Sequence, residues 1–212
     1  MLVAVKQTAW SEELLHRISH AASRDAAVLS FQNGIGHLGR LQSALPGRTV
    51  LAAVTTEGAL RTGPASVRHA GGGETWIGSE SGNPEQDERL AAAMESVKRM
   101  MEKAGFTAFL SNEIRQRIGQ KLLINAVINP LSAIWRVTNG ELPGTPDRLA
   151  AMQALFRETA SILRQHGGLL EQSDEALWET VLGVCAATSA NRSSMLQDVL
   201  AGRRTEIDAM NG

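Results

Sequence analysis

The stretch KLLINAVINPL, residues 121–131, predicts a buried helix with one polar face. Lys121, Asn125 and Asn129 recur at four-residue steps, which places their side chains on the same side of a helix. Every residue between them is apolar, and a helix that is apolar all round is usually buried. Because buried polar groups cost free energy without partners, three in register predict a cleft that binds a polar or anionic ligand. The alternative is that Lys121 reaches solvent and the two amides cap neighbouring backbone.

Upstream of this helix, apolar runs typical of strands alternate with amphipathic helical patterns. The predicted elements are strands over 2–5, 26–31, 49–56 and 106–110, and helices from Ser11, over 38–45 and from Asn83. Strand–helix–strand alternation predicts a parallel α/β sheet. The glycines 71–73 predict a hairpin that joins strands 65–70 and 74–78 as an antiparallel extension of that sheet.

Downstream of residue 111 only helical patterns remain. Asn112 is predicted to cap the 121–131 helix, Thr145 to begin a helix that runs to about His166, and residues 174–208 to be helical with breaks. We therefore predict an α/β domain over 1–111 and an all-α domain over 112–212. A ligand cleft is expected between them, because sites favour domain interfaces and the carboxyl ends of parallel strands.

The composition is ordinary for a globular chain of 212 residues. Hydrophobic residues make up 43% and charged residues 20%, and a net charge of -1 gives no signal for nucleic acid or a membrane surface. The one cysteine, Cys185, cannot form an internal disulfide, so a reducing cytoplasm is the expected compartment. No metal site is predicted, since His16 and His20 have no third ligand at a useful spacing.

Further candidate site residues lie at strand ends and in the helical half. Lys6 and Asn33 follow predicted strands, and Asn33 begins the turn NGIG, where a lysine and exposed N–H groups suit a phosphate or ribose. The helical half adds Asn139, Ser194, Asp198 and Glu206. Each has a simpler interpretation: a turn for the two asparagines, a cap for Ser194, and a surface ion pair with Arg203 or Arg204 for Glu206.

Five segments together resemble the ketopantoate reductase (2-dehydropantoate 2-reductase) family. They are VAVK (3–6), FQNGIG (31–36), KLLINAVINPLSAIW (121–135), NGEL (139–142) and SSMLQDVLAGRRTEID (193–208). The resemblance implies a Rossmann domain followed by a helical domain. It also implies reduction of 2-dehydropantoate to pantoate with NADPH, a step toward pantothenate and coenzyme A, and is compatible with a homodimer.

Residue roles follow from the same resemblance. It makes Lys121 the catalytic acid and implies substrate contacts for Asn125, Asn129, Asn139 and Ser194. Cofactor contacts are implied for Lys6, Asn33 and Ala59, and Glu206 is a catalytic carboxylate on the cofactor side.

The family also begins with a strand and a G-x-G-x-x-G turn that holds the pyrophosphate, and we expect that motif to be missing from these 212 residues. The last helices are expected to be missing as well, which makes 1–111 a partial Rossmann-like domain with weak NADPH binding of its own. Two other functions stay open: a related reductase of another 2-oxo acid, and a non-catalytic helical module used for dimerisation.

Overall fold

A five-stranded sheet organises the first of the two units into which the chain divides. The computed structural model describes residues 1–169 and 172–212. The sheet unit consists of Met1–Val5, Ala9–Gln32 and Gly36–Ile114, and the helical unit of Lys6–Thr8, Asn33–Ile35 and Arg115–Gly212. Two short segments from the first part of the chain therefore group with the helices. A single domain boundary near residue 111 would assign these two segments to the α/β domain.

The sheet unit is the predicted α/β structure. Its strands are β1 (Leu2–Val3), β2 (Ala27–Ser30), β3 (Thr49–Thr55), β4 (Gly58–Gly63), β5 (Ser66–Gly71), β6 (Glu74–Gly78) and β7 (Thr107–Leu110). Its helices are α1 (Glu12–Ala21), α2 (His37–Ala44) and α3 (Glu88–Lys103). The main sheet has the order β1-β2-β3-β6-β7, with β6 antiparallel to β3 and the other pairs parallel.

The predicted hairpin around glycines 71–73 is wrong. β5 pairs with β4 in a separate two-stranded sheet, whereas β6 pairs with β3 and β7 in the main sheet. β4 was not predicted because its sequence, GALRTG, has few apolar residues, and its side chains are half-buried or exposed. Gly73 instead packs closely on β3's end, where an added Cβ would lie 2.7 Å from the Glu57 nitrogen.

The helix predicted from Asn83 begins later, at Glu88. Asp87 is its N-cap and accepts from the Leu90 N–H, while Asn83 accepts from the Glu85 N–H in a preceding turn. Apolar residues at spacings of four, three and four predict a core face for this helix, and all four positions are buried. They are Leu90, Met94, Val97 and Met101.

The helical unit contains five helices within its described residues. They are α4 (Ile114–Trp135), α5 (Pro146–Gln165), α6 (Asp174–Ala187), α7 (Ser194–Leu200) and α8 (Ile207–Asn211). Thr145 caps α5 as predicted. Asn112 does not cap α4, because its side-chain amide donates to the Glu85 carboxylate. The Ser111 hydroxyl instead accepts from the Glu113 N–H, just before α4 begins. One apolar cluster on α4, α5, α6, α7 and α8 forms the core. No helix in the described residues is long and apolar enough to cross a membrane.

Pro130 lies inside α4, and the helix continues past it to Trp135. Proline biases the preceding residue away from helix, yet Asn129 keeps the helical conformation, so that bias is overridden by the surrounding packing. Because proline has no N–H, the Ala126 carbonyl four residues earlier lacks its intrahelical partner.

Close packing of α4 against the turn that follows α5 depends on Gly119. An added Cβ there would lie 2.8 Å from the Gly168 carbonyl carbon, so both contacting groups are backbone. We expect Gly119→Ala to lower the free energy of unfolding by about 2 kcal/mol. The reason is that overpacking costs about 1–3 kcal/mol, and two backbones cannot separate as a side chain can. This loss exceeds the roughly 1 kcal/mol that alanine gains over glycine in a helix.

Gly183, inside α6, is the matched control, because an added Cβ there meets nothing within 4 Å. Gly183→Ala is expected to raise the free energy of unfolding by up to about 1 kcal/mol. Both changes are measured by denaturant unfolding. Equal signs for the two variants would contradict the packing argument.

Candidate functional site

Lys121 lies on the polar face of α4 that the sequence predicted. The side chain of Lys121 is half-buried, and its neighbours in the chain, Leu122 and Leu123, are 4% and 1% exposed. Burial lowers the pKa of Lys121 from 10.5 to about 8. A lysine in this state carries its proton near neutral pH but gives it up readily, which suits a proton donor.

The two amides on the same face differ in burial. Asn129 is 6% exposed, and its Nδ2 lies 3.6 Å from the Met210 sulfur, a weak acceptor. Asn125 is half-buried, and its amide has no hydrogen-bond partner in the described parts of the chain. Both amides therefore keep hydrogen-bonding capacity that the protein itself uses poorly.

Glu206 is nearly buried, at 8% exposed, directly before α8. Its Oε1 accepts a hydrogen bond of 2.8 Å from the Gln7 backbone N–H. The simpler interpretation of a surface ion pair is not what the structure contains, because Arg203 pairs with Asp198 and Arg204 with Asp208. A buried carboxylate held by one backbone N–H retains lone pairs for a further donor.

Asp198 on α7 is 3% exposed and joins two cations. Lys6 forms an ion pair with its Oδ2, and Arg203 Nε lies 3.0 Å from its Oδ1. Two cations on one carboxylate leave a positive charge at a site where the Lys6 side chain is 44% exposed. Such a charge suits an anionic group or a ribose hydroxyl.

The turn after β2 lies against α8. Gln7 donates its side-chain amide to the Asn33 carbonyl, and an added Cβ on Gly34 would be 3.3 Å from the Ala209 carbonyl carbon. Gly34 has a φ of +83°, which favours glycine. Asn33 is thus positioned through its backbone, and its side chain is half-buried.

The prediction that the pattern G-x-G-x-x-G is missing from these 212 residues is wrong, because the sequence contains it once. Residues 34–39, GIGHLG, have this pattern, which starts in the turn after β2 and runs into the first turn of α2. In dinucleotide-binding turns the third glycine allows close packing of helix on strand. A Cβ on Gly39 would meet nothing within 4 Å, so this third glycine has no such packing role.

Asn139 has a buried oxygen with no partner in the described residues. Its Nδ2 donates to the Thr188 hydroxyl over 2.9 Å, and that hydroxyl donates to the Val184 carbonyl. Because the only hydroxyl proton of Thr188 is used, the Asn139 amide cannot be turned around. Its Oδ1, on a residue 8% exposed, is therefore left without a donor among the described residues.

Ser193, and not Ser194, caps α7. Its Oγ accepts from the Leu196 N–H and from the buried Ser132 hydroxyl on α4, the latter over 2.7 Å. Ser194 is exposed as the first residue of the helix, so its hydroxyl is available to a ligand. Ala59 is exposed on β4 in the sheet unit, and its cofactor role stays a prediction.

Sequence reasoning missed Gln7, Ser193 and Asn211. Gln7 acts through its backbone N–H, which no residue type can signal, and Ser193 differs from Ser194 only by helix register. A donor such as Asn211 could have been expected, because Pro130 inside a helix leaves the Ala126 carbonyl without its helical N–H partner. No group of three or more His, Cys, Asp or Glu that could hold a metal occurs among the residues described.

Comparisons with known proteins agree over both units. Residues 1–82 match the family Ketopantoate reductase PanE/ApbA, and residues 113–212 match Ketopantoate reductase PanE/ApbA C terminal. The chain is 35% identical over 186 residues to the 2-dehydropantoate 2-reductase of Bacillus subtilis, a match that covers 87% of this chain and 58% of that protein. It is 32% identical over 213 residues to the same enzyme of Vibrio cholerae, which covers 100% of this chain and 68% of that protein.

A solved structure of D-mandelate dehydrogenase with NADH and anilino(oxo)acetate is also similar. Its TM-score is 0.84 at 25% sequence identity, and the match covers 100% of this chain and 67% of that one. The fold and the polar face of α4 thus define a protein of the Rossmann-like class with a helical second unit. Within that class the matches to both units decide the matter: the chain belongs to the ketopantoate reductase family. It spans 58% of the length of the Bacillus protein.

Proposed function

We propose that this protein reduces 2-dehydropantoate to pantoate with NADPH, in the pathway to pantothenate and coenzyme A. The observation that carries the proposal is a lysine on a buried apolar helix, in register with two amides that the protein leaves poorly paired. Names of family members agree with it, since the Bacillus and Vibrio relatives are 2-dehydropantoate 2-reductases.

Lys121 is proposed to donate a hydrogen bond to the keto oxygen and then to transfer its proton there. NADPH, when bound, supplies the hydride to the keto carbon, so one hydride and one proton convert the ketone to the alcohol. The lowered pKa of Lys121 favours the transfer, because a proton donor works best when its pKa lies near the operating pH.

The amides are proposed to orient the substrate. Asn125 and Asn129 would donate to the carboxylate, and the unpaired Asn139 Oδ1 would accept from the substrate's terminal hydroxyl, with Ser194 as a further contact. Neutral amides hold a 2-oxo acid without removing the charge of Lys121.

The cofactor side is proposed to consist of Lys6, Asn33, Glu206 and Ala59. The residues of the helical unit fit a nicotinamide dinucleotide, because the Lys6–Asp198–Arg203 group keeps a net positive charge and Glu206 keeps free lone pairs for ribose or amide donors.

The test is a spectrophotometric assay of the protein with NADPH and 2-dehydropantoate, together with calorimetry of both ligands. Turnover that depends on both ligands is the expected result. Absence of turnover and of 2-dehydropantoate binding, in a protein whose folding is verified, would refute the proposal. A folded dimer without either property would instead indicate a dimerisation module.

A second candidate is reduction of another 2-oxo acid. It is favoured by the likeness to D-mandelate dehydrogenase, which was solved with anilino(oxo)acetate, a carboxylate with an oxo group on the adjacent carbon. The ratio of kcat/KM for 2-dehydropantoate to that for phenylglyoxylate separates the two. A ratio below one would replace the first candidate by the second.

The pKa of Lys121 predicts the pH dependence of the reaction. Reduction needs the protonated lysine, and a pKa of about 8 keeps it protonated below that pH. The rate of reduction should therefore be level below pH 8 and fall about tenfold per pH unit above it. Oxidation of pantoate needs the neutral lysine, so its rate should rise through the same range.

Rates with saturating NADPH between neutral and alkaline pH check this prediction. The Lys121→Ala variant provides the control, because its remaining activity should lack the alkaline break. A break that persists in this variant would mean that another group titrates.

A further inference from the structure

The Ala126 carbonyl, which Pro130 deprives of its helical partner, is satisfied by a side chain from another helix. Asn211 Nδ2, at the end of α8, donates to this carbonyl over 3.0 Å. A buried carbonyl without a partner costs free energy, and Ala126 itself is 0% exposed, so this bond replaces a helical bond that the sequence of α4 cannot make. The bond joins residues 85 positions apart in the chain.

The helix that Asn211 anchors contacts three polar segments of the proposed site in this unit. Met210 lies against the Asn129 amide, the Ala209 carbonyl against Gly34, and Glu206, directly before the helix, binds the Gln7 N–H. α8 has only five residues, and helices this short do not persist without tertiary contacts. Its first residue, Ile207, is 37% exposed, so apolar burial secures mainly the far end, at Met210.

We propose that Asn211 is a positioning residue of the site. By occupying the carbonyl that Pro130 frees, it holds α8 on α4 and thereby fixes Glu206 beside the turn that carries Asn33. Asn211 itself does not touch the reacting atoms. This role rests on the proposed reductase function, whereas the anchoring of α8 is a property of the fold and is measured separately.

The experiment compares Asn211→Ala and Asn211→Asp with the wild-type protein. The aspartate has nearly the same shape but, when ionised, cannot donate to a carbonyl, so it tests the hydrogen bond if the alanine variant folds poorly. For both we expect hydrogen–deuterium exchange of residues 207–211 to become at least about threefold faster, because the anchor of α8 is lost. We also expect kcat for 2-dehydropantoate to fall about tenfold, the effect of losing one positioned hydrogen bond.

Pro130→Ala separates positioning from stability. Residue 130 then regains an N–H that can satisfy the Ala126 carbonyl, so the stability loss caused by Asn211→Ala should shrink by at least about half in this background. The loss in kcat should persist, because α8 is still without its anchor. Gln165→Ala is the matched control, because it removes a hydrogen bond that a side-chain amide donates to the Ser161 hydroxyl within α5. This variant should leave both the exchange at residues 207–211 and kcat unchanged.

Each outcome decides between the two proposals. Unchanged exchange at residues 207–211 in both Asn211 variants would refute the anchor. Two results would refute the positioning role. One is faster exchange with kcat within about twofold of wild type. The other is a kcat loss that Pro130→Ala cancels together with the stability loss. A wild-type protein that neither binds nor reduces 2-dehydropantoate would refute the proposed function, and the exchange data alone would then decide whether Asn211 anchors α8.

Discussion

Replacing Lys121 by alanine is expected to lower kcat for 2-dehydropantoate by at least about a hundredfold, the usual scale for losing a positioned proton donor. Folding should be little affected or slightly improved, because burial already lowers the pKa of this lysine and its charged form is therefore disfavoured in the folded state. Steady-state rates together with thermal unfolding of the same samples give both quantities.

Lys98 on α3 provides the control for that experiment, since it forms an ion pair of 3.4 Å with Glu102 one helical turn away. Lys98→Ala should leave kcat unchanged. If Lys121→Ala unfolds the protein while the remaining folded fraction reduces substrate at the full rate, Lys121 has a structural role and the proton donor must be another group.

Replacing either Asn125 or Asn129 by leucine is expected to raise KM for 2-dehydropantoate by about 10- to 100-fold. Each amide would lose a hydrogen bond to a charged carboxylate, worth about 1.5–3 kcal/mol, and about 1.4 kcal/mol is a factor of ten. The melting temperature should hold or rise, because Asn129 gives up only a contact of 3.6 Å with the Met210 sulfur. KM for NADPH should be nearly unchanged, which makes the cofactor an internal control.

Asn129→Ala alone is the sharper single test, because Asn129 is the more deeply buried of the two. Should this variant lose its fold while keeping the substrate KM, the polar face of α4 would be a structural network. The substrate site would then have to be sought among Asn139 and Ser194.

The spacing of apolar and polar residues predicted the helices in which residues of one kind recur every three to four positions. The buried face of α3 could be read from the sequence because one side of that helix meets the core and the other does not, and the polar steps of α4 stand out because all residues between them are apolar. Pairing between strands could not be read in the same way. β5 and β6 are separated by glycines typical of a hairpin, but β6 has three buried positions that need the main sheet, whereas β5 is exposed throughout.

The candidate site was predictable only where side chains carry the chemistry. Lys121, Asn125, Asn129 and Glu206 could be selected by residue type and spacing. Gln7 could not, because it binds Glu206 through a backbone N–H that every residue except proline possesses. The simpler interpretation of Ser194 as the cap of α7 was wrong by one residue, which is within the usual uncertainty of helix ends, and its substrate role stays a prediction.

The grouping of residues 6–8 and 33–35 with the helical unit has a consequence for the order of folding during synthesis. The Gln7–Glu206 bond joins residues 199 positions apart, so the first of these partners leaves the ribosome long before the second exists. Closing so long a loop costs entropy that is recovered only when residue 206 has been made, and contacts this distant in sequence slow folding. The helical unit therefore cannot form all its contacts from residues 115–212 alone, and a nascent chain must keep residues 6–8 accessible until residue 206 has been made.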